Sequence, residues 1–193
     1  MNGKIKDETE LITAYLAPLA GPGGLGLRDD AGLIAADGAN DLVVSTDPII
    51  AGVHFFPDDA PYDIAWKALA VNVSDLVAKG AEPFAYTLTL ALPQAPAHAW
   101  MADFARGLEA AQAHFKCALI GGDTDHTVGV LSVGVTAFGK VPLGRMVKRQ
   151  AARQGDEVYV SGTVGDAALG LILRRDPEAF GQALGAAARD ELI

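Results

Sequence analysis

The sequence predicts an α+β fold: a mainly antiparallel or mixed sheet covered by helices on one face, followed by the start of a second α/β domain. Three observations carry that expectation. Segments with period-two and helical patterning alternate as strand–helix–strand–helix–strand between residues 42 and 138. Half of the 193 residues are apolar, enough to fill a sizeable core. A basic, small-residue stretch then precedes one more strand and two helical segments. The expected division is a first domain over residues 1–139, a linker over 140–155 and an incomplete second domain over 156–193.

In chain order, residues 7–19 place Leu11, Ile12, Tyr15, Leu16 and Leu19 at helical spacing, and Pro22 among glycines stops them. The glycines of 21–26 read as a plain loop. After Arg28-Asp29-Asp30, a small apolar strand around Leu33 and Ile34 turns at 37–40 into residues 42–47, which makes a hairpin. Pro48 should end that second strand, because proline donates no ladder hydrogen bond. From Pro61 to about Lys79 a helix carries Ile64, Ala68, Val71, Leu76 and Val77, and Gly80 caps it. Residues 85–92 alternate as a strand between prolines, and residues 97–115 form a second helix striped with Trp100, Phe104, Leu108, Ala111 and Phe115. Residues 117–120 read as a short buried strand running into Gly121-Gly122-Asp123-Thr124, and residues 128–138 as another strand. Residues 157–161 form a new strand, a helix follows to Leu173, and residues 177–193 are amphipathic.

Composition excludes several classes. With a formal net charge of -9 there is no basic stripe to neutralise nucleic-acid phosphates. A phosphorylated small molecule is still compatible, because a metal bound by the acids becomes the anion receptor. The single cysteine, Cys117, permits no disulfide framework and fits a reducing compartment. Residues 1–10 are too polar for a signal peptide, and no apolar run approaches spanning length. The expectation is a soluble cytoplasmic protein without membrane contact.

Candidate chemistry lies at element ends: Asp29-Asp30, Ser45-Thr46-Asp47, Asn72 with Asp75, and Gly121-Gly122-Asp123-Thr124. Each has a plain reading as a turn or cap. Asp75 is less easily dismissed, because its helix otherwise looks buried and a buried carboxylate needs a partner. Asn72 lies three residues before it and projects from the same side, as a metal ligand or as part of a hydrogen-bond network. Were these acids to converge, two charges about 4 Å apart would repel by roughly 4 kcal/mol at an effective dielectric of about 20. A cation between them reverses the sign. Hard oxygens without zinc-like histidine spacing point to Mg2+ with a polyphosphate. His98 and His114 read as helix-surface residues, and His54 stands out in Gly52-Val53-His54-Phe55. Gly121 and Gly122 allow backbone to approach a phosphate. Arg149 and Arg153 read equally as a phosphate clamp or a solvated basic linker. No serine or cysteine triad can be assembled, and phosphoryl transfer needs none.

Taken together in this order, Asp29-Asp30-Ala31, Ser45-Thr46-Asp47, Gly52-Val53-His54-Phe55, the run from Trp66 to Asp75 with Gly80-Ala81, and Gly121-Gly122-Asp123-Thr124 resemble the thiamine-monophosphate kinases. These belong to the superfamily of aminoimidazole ribonucleotide synthase. Arg149 and the stretch 155–165 continue the match, and Ala51 stands where many relatives carry glutamate. The resemblance implies ATP-dependent conversion of thiamine monophosphate to thiamine diphosphate by direct in-line transfer without a phosphoenzyme, in a homodimer formed by the first domain through a shared barrel-like sheet. It implies Asp30, Ser45, Thr46, Asp47, Asp75 and Asp123 as Mg2+ ligands, His54 as a substrate contact, and Gly121, Gly122 and Arg149 as ATP contacts. It further implies that the family's second domain continues beyond Ile193, so that this chain is a fragment. The alternatives are another member, such as the amidine-cyclising synthase, or a non-catalytic nucleotide-binding dimerisation module. A selenium-activating relative would carry an N-terminal reactive cysteine, and the hydrogenase-maturation relative a C-terminal one.

Overall fold

The computed structural model describes residue 28, residues 32–34 and residues 38–176. The expected helix over 7–19, the glycine run, Asp29-Asp30 and the segment 177–193 lie outside the described residues. The chain divides into two compact units, residues 1–151 and 152–193.

In the first unit, strands β1 (Gly32–Ile34), β2 (Asn40–Ile50), β3 (Glu82–Leu92), β4 (Ala118–His126) and β5 (Ser132–Pro142) form one sheet in the order β1-β2-β5-β3-β4. Pairing is antiparallel from β1 through β3, and β3–β4 is parallel. That parallel pair requires a crossover, and helix α2 (His98–Phe115) supplies it. Helix α1 (Pro61–Ala78) connects β2 to β3 and lies against β2, β5 and β3, with α2 packed upon it. The expected α+β layer with helices on one face is what forms.

Alternation decides which face is covered. Val43, Ser45 and Ile49 on β2, Tyr86, Leu88 and Leu90 on β3, and Val133, Val135 and Ala137 on β5 are buried. All but Ser45 join Ile64, Ala68, Leu69, Val73 and Leu76 of α1 and Phe104, Leu108 and Ala111 of α2 in one core. Each fully buried Leu, Ile or Phe contributes about 1.5–3 kcal/mol relative to exposure, so α1 is anchored firmly enough over β2 to hold polar contacts there. Pro61 starts α1, where the missing N–H costs nothing. At its other end Gly80, at φ +71°, donates to Val77 O and Ala81 donates to Leu76 O, which is a Schellman termination.

Five expectations require correction. Val77, expected in the apolar stripe of α1, stands exposed in the helix's last turn. β2 continues through Pro48 to Ile50, because pairing with β5 extends on both sides of the proline. The strand expected over 117–120 is the nine-residue β4; it is exposed throughout and takes in Gly121 to Thr124, because among the described residues it is the sheet's last strand and pairs only with β3. The strand expected over 128–138 starts at Ser132 and runs to Pro142, where β2 supplies partners as far as Asn40. In the second unit, residues 157–161 form no ladder, and Val158, Tyr159 and Val160 stand strongly exposed. Apolar β-branched residues make a strand only when a neighbour takes up their backbone groups; among the described residues none does. Helix α3 (Asp166–Arg175) follows Gly165. Among the described residues, no helix is long and apolar enough to cross a membrane.

Candidate functional site: the polar seam between the second strand and the first helix

Within the otherwise apolar contact between β2 and α1 runs a short line of polar groups. Strand alternation sends Ser45 and Asp47 toward the helix and Thr46 away from it. Ser45, buried, donates its hydroxyl to Asp75 Oδ2 at 3.1 Å. One turn back along α1, fully buried Asn72 accepts the Asp47 N–H on Oδ1 at 2.8 Å. Its Nδ2 donates to Asp47 O at 3.2 Å and to Ala68 O at 3.1 Å. Among the described residues β1 pairs with β2 as far as Val44; at Asp47 the carboxamide of Asn72 meets both backbone groups as a neighbouring strand would. Asn72 thus takes the network role rather than that of an outward ligand. Asp75 is half-buried and Asp47 exposed, so the seam opens to solvent at its carboxylate end.

Past β2 the chain closes a tight turn. Gly52 N donates to Phe55 O at 2.8 Å, His54 N to Ile50 O at 2.8 Å, and Ile50 N to His54 Nδ1 at 3.0 Å. With Nδ1 accepting, the neutral ring carries its proton on Nε2. Lys67 of α1 donates its amine to His54 O, tying the turn to the helix that bears Asn72 and Asp75. Sequence reasoning passed over Lys67; its position eight residues before Asp75 on a helix was the only local signal.

On the opposite face of the sheet, which among the described residues neither α1 nor α2 covers, Thr46 lies in register with Thr136 and Thr136 with Thr87, and Gly121 comes next on β4. The Thr46 hydroxyl is 2.9 Å from Thr136 Oγ1 and donates to Val135 O at 3.1 Å. The next row is Pro48, Gly134, Thr89 and Asp123. It lines a shallow hollow of about 150 Å³. A register shift at Ile120 precedes this row: Leu119 pairs with Tyr86 but Gly121 with Thr87, so one extra residue re-aims the rest of β4. Gly122 is required there, since a Cβ would come within 1.8 Å of Leu88 O.

Of the residues singled out from the sequence, the structure joins Ser45 to Asp75 and Asn72 to Asp47. Thr46, Gly121 and Asp123 fall on the uncovered face, His54 in the turn after β2, and Arg149 in a short 3-10 helix, Arg149–Ala151. Asp30 lies outside the described residues. Among the described residues, no three His, Cys, Asp or Glu side chains stand close enough to hold a metal ion between them.

Fold and seam together define a class: an α+β domain with a mixed five-stranded sheet, helices on one side, and hard-oxygen groups of β2 and α1 brought together at the helix-covered face. The family model for the AIR synthase related protein, N-terminal domain, matches residues 28–141, and the chain belongs to that family. It is 46% identical over 149 residues to the thiamine-monophosphate kinase of Escherichia coli (strain K12), covering 77% of this chain and 45% of that relative. A thiamine-monophosphate kinase structure from Stenotrophomonas maltophilia K279a superposes with TM-score 0.71 at 40% identity, over 94% of this chain and 56% of that one. AaThiL complexed with AMPPCP and TMP superposes with TM-score 0.82 at 31% identity, over 92% and 55%. The chain spans about half the length of the relatives it matches.

Proposed function

We propose that this chain is the nucleotide- and metal-handling part of a thiamine-monophosphate kinase, which phosphorylates thiamine monophosphate to thiamine diphosphate with ATP in the cytoplasm. What carries the reading is its likeness, over 92% of its length, to AaThiL, a protein solved with AMPPCP and TMP. The seam suits the chemistry. Ser45, Asp47 and Asp75 offer only hard oxygens, the donor set of Mg2+, which takes one or two carboxylates and completes its shell with water and substrate phosphates. Bound there, Mg2+ would neutralise charge on the phosphoryl group in transfer. Asp30, Thr46 and Asp123 are kept as Mg2+ ligands, Thr46 and Asp123 on the sheet's other face and so for an ion other than the one at the seam.

The chain's own groups do the positioning. The Nε2–H of His54 is a donor suited to an acceptor oxygen on the substrate, and Lys67 keeps that turn on α1. Gly121 and Gly122 allow a nucleotide phosphate close to the backbone, and Arg149 offers a planar cation to it. No side chain is needed as a nucleophile, because the substrate's phosphate attacks in line. The uncovered sheet face, where Val44 and Phe138 are only half-buried, pairs with that of a second copy in a homodimer.

The test is thiamine diphosphate formation from thiamine monophosphate and Mg-ATP, run on this chain and on the same chain joined to a second domain from a full-length relative. Product from either protein supports the proposal. Product from neither overturns it.

A further inference from the structure

Asn72 is completely buried, yet it sits in the middle of the apolar stripe of α1, between Leu69 and Leu76. A carboxamide in such a place is costly unless its hydrogen bonds are made, and here three of them are: two to the backbone of Asp47 and one to Ala68 O. Gripping both the N–H and the C=O of one residue restrains the dihedrals on either side of its Cα. The direction of the Asp47 side chain is thereby set from α1, the helix that also carries Asp75. Ser45, two residues earlier on the same face, is tied to Asp75 itself. The strand and helix are therefore pinned at two points that bracket the carboxylates of Asp47 and Asp75.

We propose that Asn72 is a positioning residue: it holds Asp47 so that its carboxylate and that of Asp75 are presented together to a divalent cation. The assignment rests on the metal reading above. Residues that orient metal ligands without touching the metal commonly change affinity by about 10- to 100-fold when altered. A purely structural Asn72 would instead matter only through the stability of the α1–β2 contact.

Titration of the chain with Mn2+, followed by the electron paramagnetic resonance of the free ion, separates the two. Asn72→Asp keeps the acceptor for the Asp47 N–H but loses the donor to Asp47 O, and its added negative charge favours cation binding. Weaker binding in this variant therefore has to come from misplacement. Asn72→Ser, shorter and uncharged, is the second variant. Val73→Ala loosens the same helix through its apolar side and touches neither polar contact. The expected result is a Kd for Mn2+ raised about 10-fold or more in both Asn72 variants, with Val73→Ala unchanged at a similar loss of Tm. Undiminished affinity in the Asn72 variants, or an equal loss in Val73→Ala, overturns the proposal. On the unaltered chain, Mg2+ should slow hydrogen exchange of the Asp47 amide, and no slowing at saturation overturns it even if no Asn72 variant folds. If the unaltered chain binds no Mn2+ at all, the metal reading falls first and this assignment with it.

Discussion

Asp103 shows how one side chain can join two helices. It sits in the second turn of α2, yet its Oδ2 accepts the Tyr62 N–H at the start of α1, 3.1 Å away. That N–H is one of the first-turn donors no helix can satisfy internally. The Arg106 guanidinium, one turn on, bonds the other carboxylate oxygen and lies 5.7 Å over the Tyr62 ring. Arg106 first, and the Tyr62 N–H second, hold the Asp103 carboxyl below its ordinary value of 3.8. A depressed folded value means stability that is present in full above the unfolded pKa and lost as pH falls through the folded one. Tm should therefore drop more steeply below about pH 4 in the unaltered protein than in Asp103→Asn, whose amide oxygen still serves Tyr62. Parallel Tm–pH curves for the two proteins would remove Asp103 from this role. Tyr86 is the contrasting case: burial foremost, with Cys117 nearby, pushes its phenol up to about 12, so it stays neutral in the core.

Between elements, the contact of α1 with α2 depends on a missing side chain. Gly107 stands in mid-helix, where alanine would ordinarily gain about 1 kcal/mol of helix propensity. Here a Cβ would come within 2.2 Å of Tyr62 O, a backbone atom that cannot step aside without moving α1. Gly107→Ala should accordingly destabilise by more than about 1 kcal/mol in denaturant unfolding, the reverse of the propensity expectation. A gain would show that α1 and α2 approach less closely than this. Since α1 carries Asn72, Asp75 and Lys67, any shift of α2 against it is transmitted to the seam. The crossover helix is in this sense a support for the candidate site.

At the scale of the first unit, α1 and α2 cover one side of the sheet, and on the other Val44, Phe138 and Thr136 are partly buried. Pairing of two such faces predicts a sedimenting species of roughly twice the chain mass at micromolar concentration. Thr136→Lys, placing a charge in the middle of that face, should shift it to the monomer without loss of helical signal. A monomer in the unaltered chain would count against the proposed homodimer. Among the described residues, edge strand β4 carries no partner beyond β3, and a continuous row of exposed backbone groups is a surface that proteins usually cover.

Local physics was legible in the residue order. Pro61 and Gly80 mark the ends of α1, the stripe from Ile64 to Leu76 marks its buried side, and the three-residue spacing of Asn72 and Asp75 puts them on one flank, because caps and helical periodicity are short-range properties. The oxygen-rich run Ser45-Thr46-Asp47 within β2 was legible for the same reason, as was the family. What those groups face was not. Ser45 and Asp75 are 30 residues apart and Asp47 and Asn72 are 25 apart, and nothing local says that the carboxamide pairs with strand backbone. Alternation alone could have separated Thr46 from its neighbours, but its threonine partners on β5 and β3 come from register. The exposure of β4, its extra residue at Ile120 and the passage of β2 through Pro48 depend on which strand lies beside which. Tertiary pairing decides these because a strand's hydrogen bonds, unlike a helix's, are completed by another part of the chain.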